Sequence, residues 1–568
     1  MKLDLLIKGA LVYDGNGGCP EQADVGIAGT KIVELGRITR EARRTIDASG
    51  ALLTPGFVDI HTHYDAQATW CRRLIPSSDH GVTTAIMGNC GVGFAPVRPA
   101  DRDMLIELME GVEDIPEVVM REGIPWAWES FEQYMDFLDQ RQFDMDLGAQ
   151  LPHAALRVYV MGDRGANREP ATPADIEKMR KIAAAAMQAG AIGFSTSRWL
   201  HHKSASGEHT PSLDAGLDEL MGIAMGMRDA GRGVFQCISE FGDLGDEFGL
   251  LEQIARATGC PISMSVGDGL GASDWRSVLK KVAQANSEGL EFRGQIAPRA
   301  VGVVLGLTAS ITPFTAKPSF RELAHLPLEQ RRKILSDPQV KKRILDEPAT
   351  EEFDLMRLEA LLDGGRWLWE MDEVPNYEPD TDDSLAARAD RLGIPPMDYV
   401  YDRMLANGGK TLFYSARANF EDGTLDVCRE QLLDDNTVVG LGDGGAHVGI
   451  ICDASFPTTL LSHWGRNAPA PLDLAYLIKK QTRDTARAVG LTDRGTIAVG
   501  KKADVNVIDF EKLNALRPEI VHDLPAGGSR FRQRATGYLA TVVSGEVTYR
   551  EGEHTGELPG RLVRATQA

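Results

Sequence analysis

Two imidazoles spaced two apart, a carboxylate in a glycine-rich turn and a thiol after an apolar run are the groups in this sequence best suited to chemistry. His61 and His63 lie in PGFVDIHTHYD (55–65). Pro55-Gly56 marks a turn and FVDI is an apolar run of strand length. Side chains at i and i+2 of a strand share a face, so both rings point the same way. Two such rings at a strand end can chelate one divalent ion. The chain has 12 histidines, and a His-x-His pair also arises by chance; its position directly after an apolar run is what gives it weight.

The second signal is TVVGLGDGGAHVG (437–449), where an apolar run ends at Asp443. A carboxylate beside a metal-activated water can serve as ligand and as proton acceptor. Taken alone, an Asp-Gly pair is more economically read as a turn. His447, four residues on, is a candidate substrate contact. In GVTTAIMGNCGVGFAP (81–96), Cys90 follows another apolar run; a thiolate is a strong ligand for Zn²⁺, although an isolated buried thiol is usually packing. RWLHHK (198–203) adds Arg198, His201, His202 and Lys203 at a strand end, with an exposed polar loop as the competing reading.

These groups need a scaffold that brings strand ends together. Short apolar segments (FVDIHTH, TTAIMGN, ALRVYVMG, AIGFSTS, GVFQCIS, ISMSVG, TVVGLGDGG) alternate with helical stretches, notably 173–190 and 217–231, both ending in Gly. Such alternation predicts a parallel sheet with crossover helices. The length favours a (β/α)8 TIM barrel, whose active site lies at the C-terminal mouth of the strands. A doubly wound sheet is the alternative, but no strand leads into Gly-x-Gly-x-x-Gly. Residues 1–54 and 486–568 have the texture of short strands and predict one small β-sandwich formed by both termini, with the barrel over 55–485. Residues 320–385, polar and Pro-containing, read as a lid-like insertion or a surface loop.

Taken together, LLIKGALVYDG, PGFVDIHTHYD, GVTTAIMGNCGVGFAP, GAIGFSTS, GDGGAH and DRGTIAVGKKADVNVID resemble the amidohydrolase superfamily, and within it the N-acyl-D-amino-acid deacylases (D-aminoacylases). The similarity runs from about residue 1 to residue 550, and GNCG is its most specific part. The resemblance implies a metal-bearing (β/α)8 barrel with a terminal β-sandwich. It implies that His61 and His63 bind metal, that Cys90 is a ligand in place of a carboxylated lysine, and that Asp443 is ligand and catalytic base. Two positions depart from it. In GRGVFQCISEFGD, Gln236 or Cys237 stands where a His belongs; in PISMSVGDG, Met264 stands where another belongs. Met is a poor ligand for a borderline ion, whereas Cys237 is a potential substitute ligand. One divalent ion, Zn²⁺ foremost, is therefore preferred over two.

The expected reaction is hydrolysis of the amide bond of an N-acylated (D-)amino acid or a similar N-acyl compound, by metal-activated water with Asp443 as general base. Arg198, His202, Lys203 and His447 are candidate substrate contacts; Arg198, Lys203 and Arg299 are the cations available for a substrate carboxylate. Alternatives are hydrolysis of a cyclic amide or carbamate on the same scaffold, or a metal-free binding protein. Across 568 residues, 61 Lys and Arg against 82 Asp and Glu give a net charge of −21, which excludes phosphate-backbone binding and disfavours an anionic membrane. The expected partner is a small molecule, with neither nucleic acid nor membrane; self-association into a homo-oligomer is compatible with the sequence. The seven cysteines (19, 71, 90, 237, 260, 428, 452) are odd in number and contain no C-x-x-C, which points to a reducing compartment, the cytoplasm. Asp4 and Lys8 interrupt the N-terminal apolar run, so no secretory leader is expected.

Overall fold

The structure is a computed structural model that describes residues 2–350, 362–420 and 423–565. Eight parallel strands form the central sheet in sequential order: β1 (Phe57–Asp59), β2 (Val82–Met87), β3 (Asp146–Pro152), β4 (Gly193–Arg198), β5 (Val234–Ser239), β6 (Ile262–Ser265), β7 (Phe292–Ile296) and β8 (Thr437–Val439). Helices follow most of them, as crossovers between parallel strands require. The predicted helices are present as Pro173–Gln188 and Leu217–Ala230. The first starts on a capping box in which Thr172 and Asp175 bond reciprocally, and the second stops at Gly231, whose φ of 72° suits glycine. The barrel closes between its first and last strands. A parallel bridge joins Thr62 to Gly444, His63 N–H donates to Gly444 O at 2.8 Å, and Asp443 N–H donates to His61 O at 3.1 Å.

Both faces of these strands are buried, as parallel strands demand, yet the two faces differ. Phe194, Phe235, Cys237 and Met264 are buried toward the helix layer; Phe194 stacks edge-on to His153 of the helix His153–Met161. The alternating residues Ser195, Gln236 and Ser263, together with Gln150 and Gln295 of neighbouring strands, line the barrel interior with buried polar groups.

A second sheet draws on both termini. Its strands run in the order Glu553–His554, Glu546–Arg550, Tyr538–Val543, Val505–Ile508, Leu52–Pro55, Leu3–Val12, Glu21–Ala28 and Lys31–Gly36, with Ala42–Asp47 also paired to Leu3–Val12. Leu5, Ile7, Val25, Ile27, Leu53, Val505, Val507 and Val542 form its core. Two C-terminal segments stay outside it. The hairpin Glu519–Val521/Arg530–Arg532 reaches the barrel mouth, where Phe531 N–H donates to Val448 O, and residues 560–563 pair with Phe143 and Leu147 at the barrel base.

The segment expected as a lid-like insertion or surface loop over 320–385 falls within a larger folded unit. Residues 301–418, apart from 351–361, which lie outside the described residues, form a subdomain between β7 and β8. Strands Val301–Leu305, Trp369–Glu370 and Phe413–Ala418 make a three-stranded antiparallel sheet. Helices Leu328–Leu335, Pro338–Asp346 and Leu385–Leu392 bury Leu335, Ile344 and Leu385 in a separate apolar core with Phe314, Leu368, Tyr401 and Phe413. Single apolar residues scattered through polar helices suffice, because each is fully enclosed. No helix among the described residues is long and apolar enough to cross a membrane.

Candidate metal centre

The closing seam of the barrel fixes the site. Just beyond β1, His61 and His63 are 1% exposed, and their donor atoms lie with Cys90 Sγ within 4.8 Å of one another. His61 Nε2 is 3.3 Å from Cys90 Sγ. Asp443, on the far side of the seam, places Oδ1 at 3.5 Å from Nε2 of both His61 and His63. Its side chain keeps 23% exposure, so this face of the cluster is the one a small molecule reaches.

The opposite nitrogens of both rings are engaged behind the cluster. His61 Nδ1 lies 2.6 Å from Gln295 Oε1, and the Gln295 amide is in turn set by donating to Ser263 Oγ at 2.8 Å. His63 Nδ1 lies 3.2 Å from Glu113 Oε1. At His61 the Gln295 acceptor keeps Nδ1 protonated and leaves the Nε2 lone pair facing the cluster, the arrangement found behind metal-binding histidines; at His63 the contact with Glu113 is an ion pair without hydrogen-bond geometry.

Glu113 was not among the residues singled out from sequence. It ends the helix Arg102–Glu113, where the helix dipole disfavours a carboxylate, and it is 1% exposed. Two imidazoles compensate: His63, and His447 with Nε2 3.5 Å from Glu113 Oε2. Burial pushes its carboxyl up to about 7. Nothing in ELMEGVED distinguishes it from a surface glutamate.

The GNCG loop is held from several sides. Gly91 N–H donates to Ser195 Oγ at 3.0 Å, and Asn89 Nδ2 donates to the carbonyls of Thr62 and Ile86. Gly88 and Gly91 have φ of 81° and 71° and lie so close to the backbones of Gln150 and Ser197 that a Cβ would collide, which explains both glycines of the motif. Cys90, Asp443 and His447 also have left-handed backbones, with φ of 55°, 45° and 48°. Non-glycine residues are held there only where surrounding structure over-determines them, and such positions cluster at functional sites.

The electrostatics favour a cation. Burial alone would protonate Asp443, but the hydrogen bond from His63 and the charges of His61 and His63 hold it well below the usual carboxylate range. Burial opposes a charge on His63, yet Glu113 and Asp443 overcome it and push its pKa well up. Burial pushes the Cys90 thiol up to about 12, a value that a bound divalent ion reverses by stabilising the thiolate. Converging imidazole, thiol and carboxylate donors suit Zn²⁺ or a similar borderline ion.

The other expected residues divide. His202 is brought in: its Nδ1 lies 2.8 Å from Ser197 Oγ, and burial, then the charges of His447 and His63, push it down to about 3. His447 is brought in through Glu113. Arg198 is not available for an anion, because Glu247 binds its guanidinium in two contacts of 2.8 Å. Arg299 is likewise engaged, with Asp453 at 2.9 Å and with the face of Tyr377. Lys203 bridges to His209 through its backbone and its carbonyl lies against Gly111. Cys237 does not join the cluster either. It occupies the helix-facing side of β5, so the inward residue at the place expected for a histidine is Gln236; the same alternation turns Met264 out and Ser263 in.

The chain is 32% identical over 247 residues to the D-aminoacylase of Alcaligenes xylosoxydans xylosoxydans, covering 43% of this chain and 48% of that one. It is 30% identical over 226 residues to the N-acyl-D-aspartate deacylase of the same organism, covering 40% and 41%. These alignments span about half the length of the curated relatives. The crystal structure of the N-acyl-D-glutamate deacylase of Bordetella bronchiseptica, complexed with zinc and a phosphonate inhibitor, superposes with a TM-score of 0.63 over the whole of both chains at 22% identity, a likeness of fold. Residues 44–549, from the terminal sheet through the barrel and back, match the amidohydrolase family, and the chain belongs to that family.

Proposed function

We propose that this amidohydrolase cleaves the amide bond of N-acylated amino acids, with water as the nucleophile and one divalent ion, Zn²⁺ foremost, held by His61, His63, Cys90 and Asp443. The observation that carries the reading is the cluster of His61, His63 and Cys90 at the barrel seam, with the partly exposed Asp443 carboxylate against both imidazoles. The names of the two deacylase relatives and the zinc in the related crystal structure support substrate class and metal.

When bound, the ion supplies Lewis acidity to the carbonyl and acidifies water. The rest falls to side chains. Asp443, ionised and partly exposed, takes the proton from the attacking water and passes it to the departing amine. Gln295 holds the His61 imidazole in one tautomer, Glu113 offers His63 a counter-charge, and His202 and His447 stand beside the cluster as substrate contacts. The terminal sheet, built from strands within 3–55 and 505–554, and the barrel strands from Phe57 to Val439 support a two-part organisation in which both termini form one small domain beside the barrel. The unpaired cysteines support a reducing, cytoplasmic setting, and a homo-oligomer is compatible with this reading.

A second reading, hydrolysis of a cyclic amide or carbamate, is favoured by one observation: Arg198 and Arg299 are both already paired, so neither offers charge to an amino-acid carboxylate. One screen separates the two. Metal-reconstituted and chelated protein are offered N-acyl D- and L-amino acids, hydantoins and carbamates, and amine release is followed. Release from the N-acyl-D-amino acids, abolished by chelator, is the expected result. Turnover restricted to hydantoins or carbamates selects the second reading, and a chain that retains no metal after reconstitution rejects both.

Glu113→Gln tests the support behind His63. It is expected to weaken metal binding about 10–100-fold, measured by competition with a chromophoric chelator. Unaltered affinity would reduce Glu113 to a packing residue.

A further inference from the structure

Gln236 is 1% exposed and sits on the inward face of β5. Its Oε1 accepts the backbone N–H of Cys90 at 3.2 Å. That bond fixes the amide orientation, since a flipped amide would set two donors against each other. The Nε2 group is therefore turned away from the Cys90 backbone, and it has no hydrogen-bond partner. The two inward hydroxyls in register, Ser195 and Ser263, are already engaged, by the GNCG loop and by Gln295. An unmatched buried donor is costly to the fold and calls for an explanation.

Building on the amide-hydrolysis reading, we propose that Gln236 is a catalytic residue whose Nε2–H donates to the oxygen of the scissile carbonyl and follows it as it becomes the oxyanion. Three features point to this assignment. The donor is neutral and cannot act as acid or base, so hydrogen bonding is its only chemistry. It is anchored to the same residue, Cys90, whose thiol belongs to the reacting cluster, which places it at the carbonyl end of the substrate rather than along the amino-acid side chain. It is held from strand and loop at once, and so is oriented before substrate arrives, which is where a donor to developing charge gains most. Substituting an amide for the histidine expected on this strand exchanges a potential ligand for a hydrogen-bond donor.

Two variants test it. Gln236→Glu keeps an acceptor for the Cys90 N–H and removes the donor; Gln236→Met removes both. In the metal-loaded protein each is expected to lower kcat about 10²–10³-fold, with KM little changed and metal content equal to wild type by elemental analysis. Affinity for a phosphonate mimic of the tetrahedral intermediate should fall by the same factor as kcat/KM, while affinity for the released amino acid, which lacks the former carbonyl, does not. Wild-type turnover in both variants overturns the proposal and leaves the amide-hydrolysis reading standing. So does a loss confined to Gln236→Met, or one that tracks loss of metal, because Gln236 would then only position Cys90. A wild-type protein that hydrolyses no amide overturns the functional reading and this proposal together.

Discussion

Asp443→Asn is expected to fold, to keep its place in the barrel seam and to lose about 10³-fold in kcat, near the middle of the range for removing a positioned acid–base group. Asparagine is the informative substitution. The backbone at this position has φ of 45°, a conformation Asn tolerates and Ala does not, so Asp443→Ala adds strain to the chemical deletion. The Asp443→Asn variant retains the backbone bond to His61 O and loses the negative charge that sits 3.5 Å from both imidazoles. Far-ultraviolet circular dichroism and thermal melting report the fold, and steady-state kinetics at saturating metal report the chemistry. A kcat within tenfold of wild type would remove Asp443 from the proton-transfer role.

The largest effect on stability is expected in a buried array behind the GNCG loop. Glu219, nearly enclosed, accepts from Arg157 Nε at 2.7 Å and lies 2.9 Å from His153 Nε2, whose other nitrogen is 2.8 Å from Thr196 Oγ1. This array ties two helices to β4 with almost no solvent contact. Glu219→Ala strands a buried guanidinium, and deleting one partner of a buried pair costs about 3–5 kcal/mol. Urea unfolding followed by intrinsic fluorescence measures it, and a loss below about 1 kcal/mol would show that Arg157's carbonyl contacts alone satisfy it. The wild type carries a matching pH signature. Burial would raise the Glu219 carboxyl, but His153 and Arg157 pull it down to about 2 from an ordinary 4.5. A depressed carboxylate stabilises the fold above its unfolded pKa, and that contribution is lost as pH falls from about 4.5 toward 2. Stability measured across that window should decline in wild type and decline less in Glu219→Ala.

What could be read from sequence follows the range of the interaction involved. The shared face of His61 and His63 is decided within three residues by strand geometry, and the helix ends by their caps, so both were legible. Asp443 taken alone reads as a turn residue; the apolar run before it and the resemblance made it a candidate ligand and base, and its place against the imidazoles depends on a seam between the first and last strands. Gln236 against Cys237 shows the limit of a period-two argument: both stand at the expected place, and a shift of one residue decides which enters the barrel. Glu113 was invisible because its significance lies in where a helix ends relative to β1. The subdomain over 301–418 escaped for a different reason. Its core draws single residues from segments widely separated along the chain, so no local window shows an apolar face.

The position of the cluster on the closing seam has a consequence for how the protein is made. His61 and His63 leave the ribosome early, whereas Asp443 follows only after the whole insertion has been synthesised. A nascent barrel lacking β8 owns two imidazoles and a thiol but not their carboxylate. Parallel pairing between such distant strands is intrinsically slow, because loop-closure entropy must be overcome before the contacts form. A cation that prefers the completed cluster to the unfolded chain stabilises the closed barrel by mass action, in proportion to the logarithm of its concentration. In this reading the metal is also the rivet of the barrel, and metal scarcity would act on the yield of folded protein before it acts on the rate of any reaction.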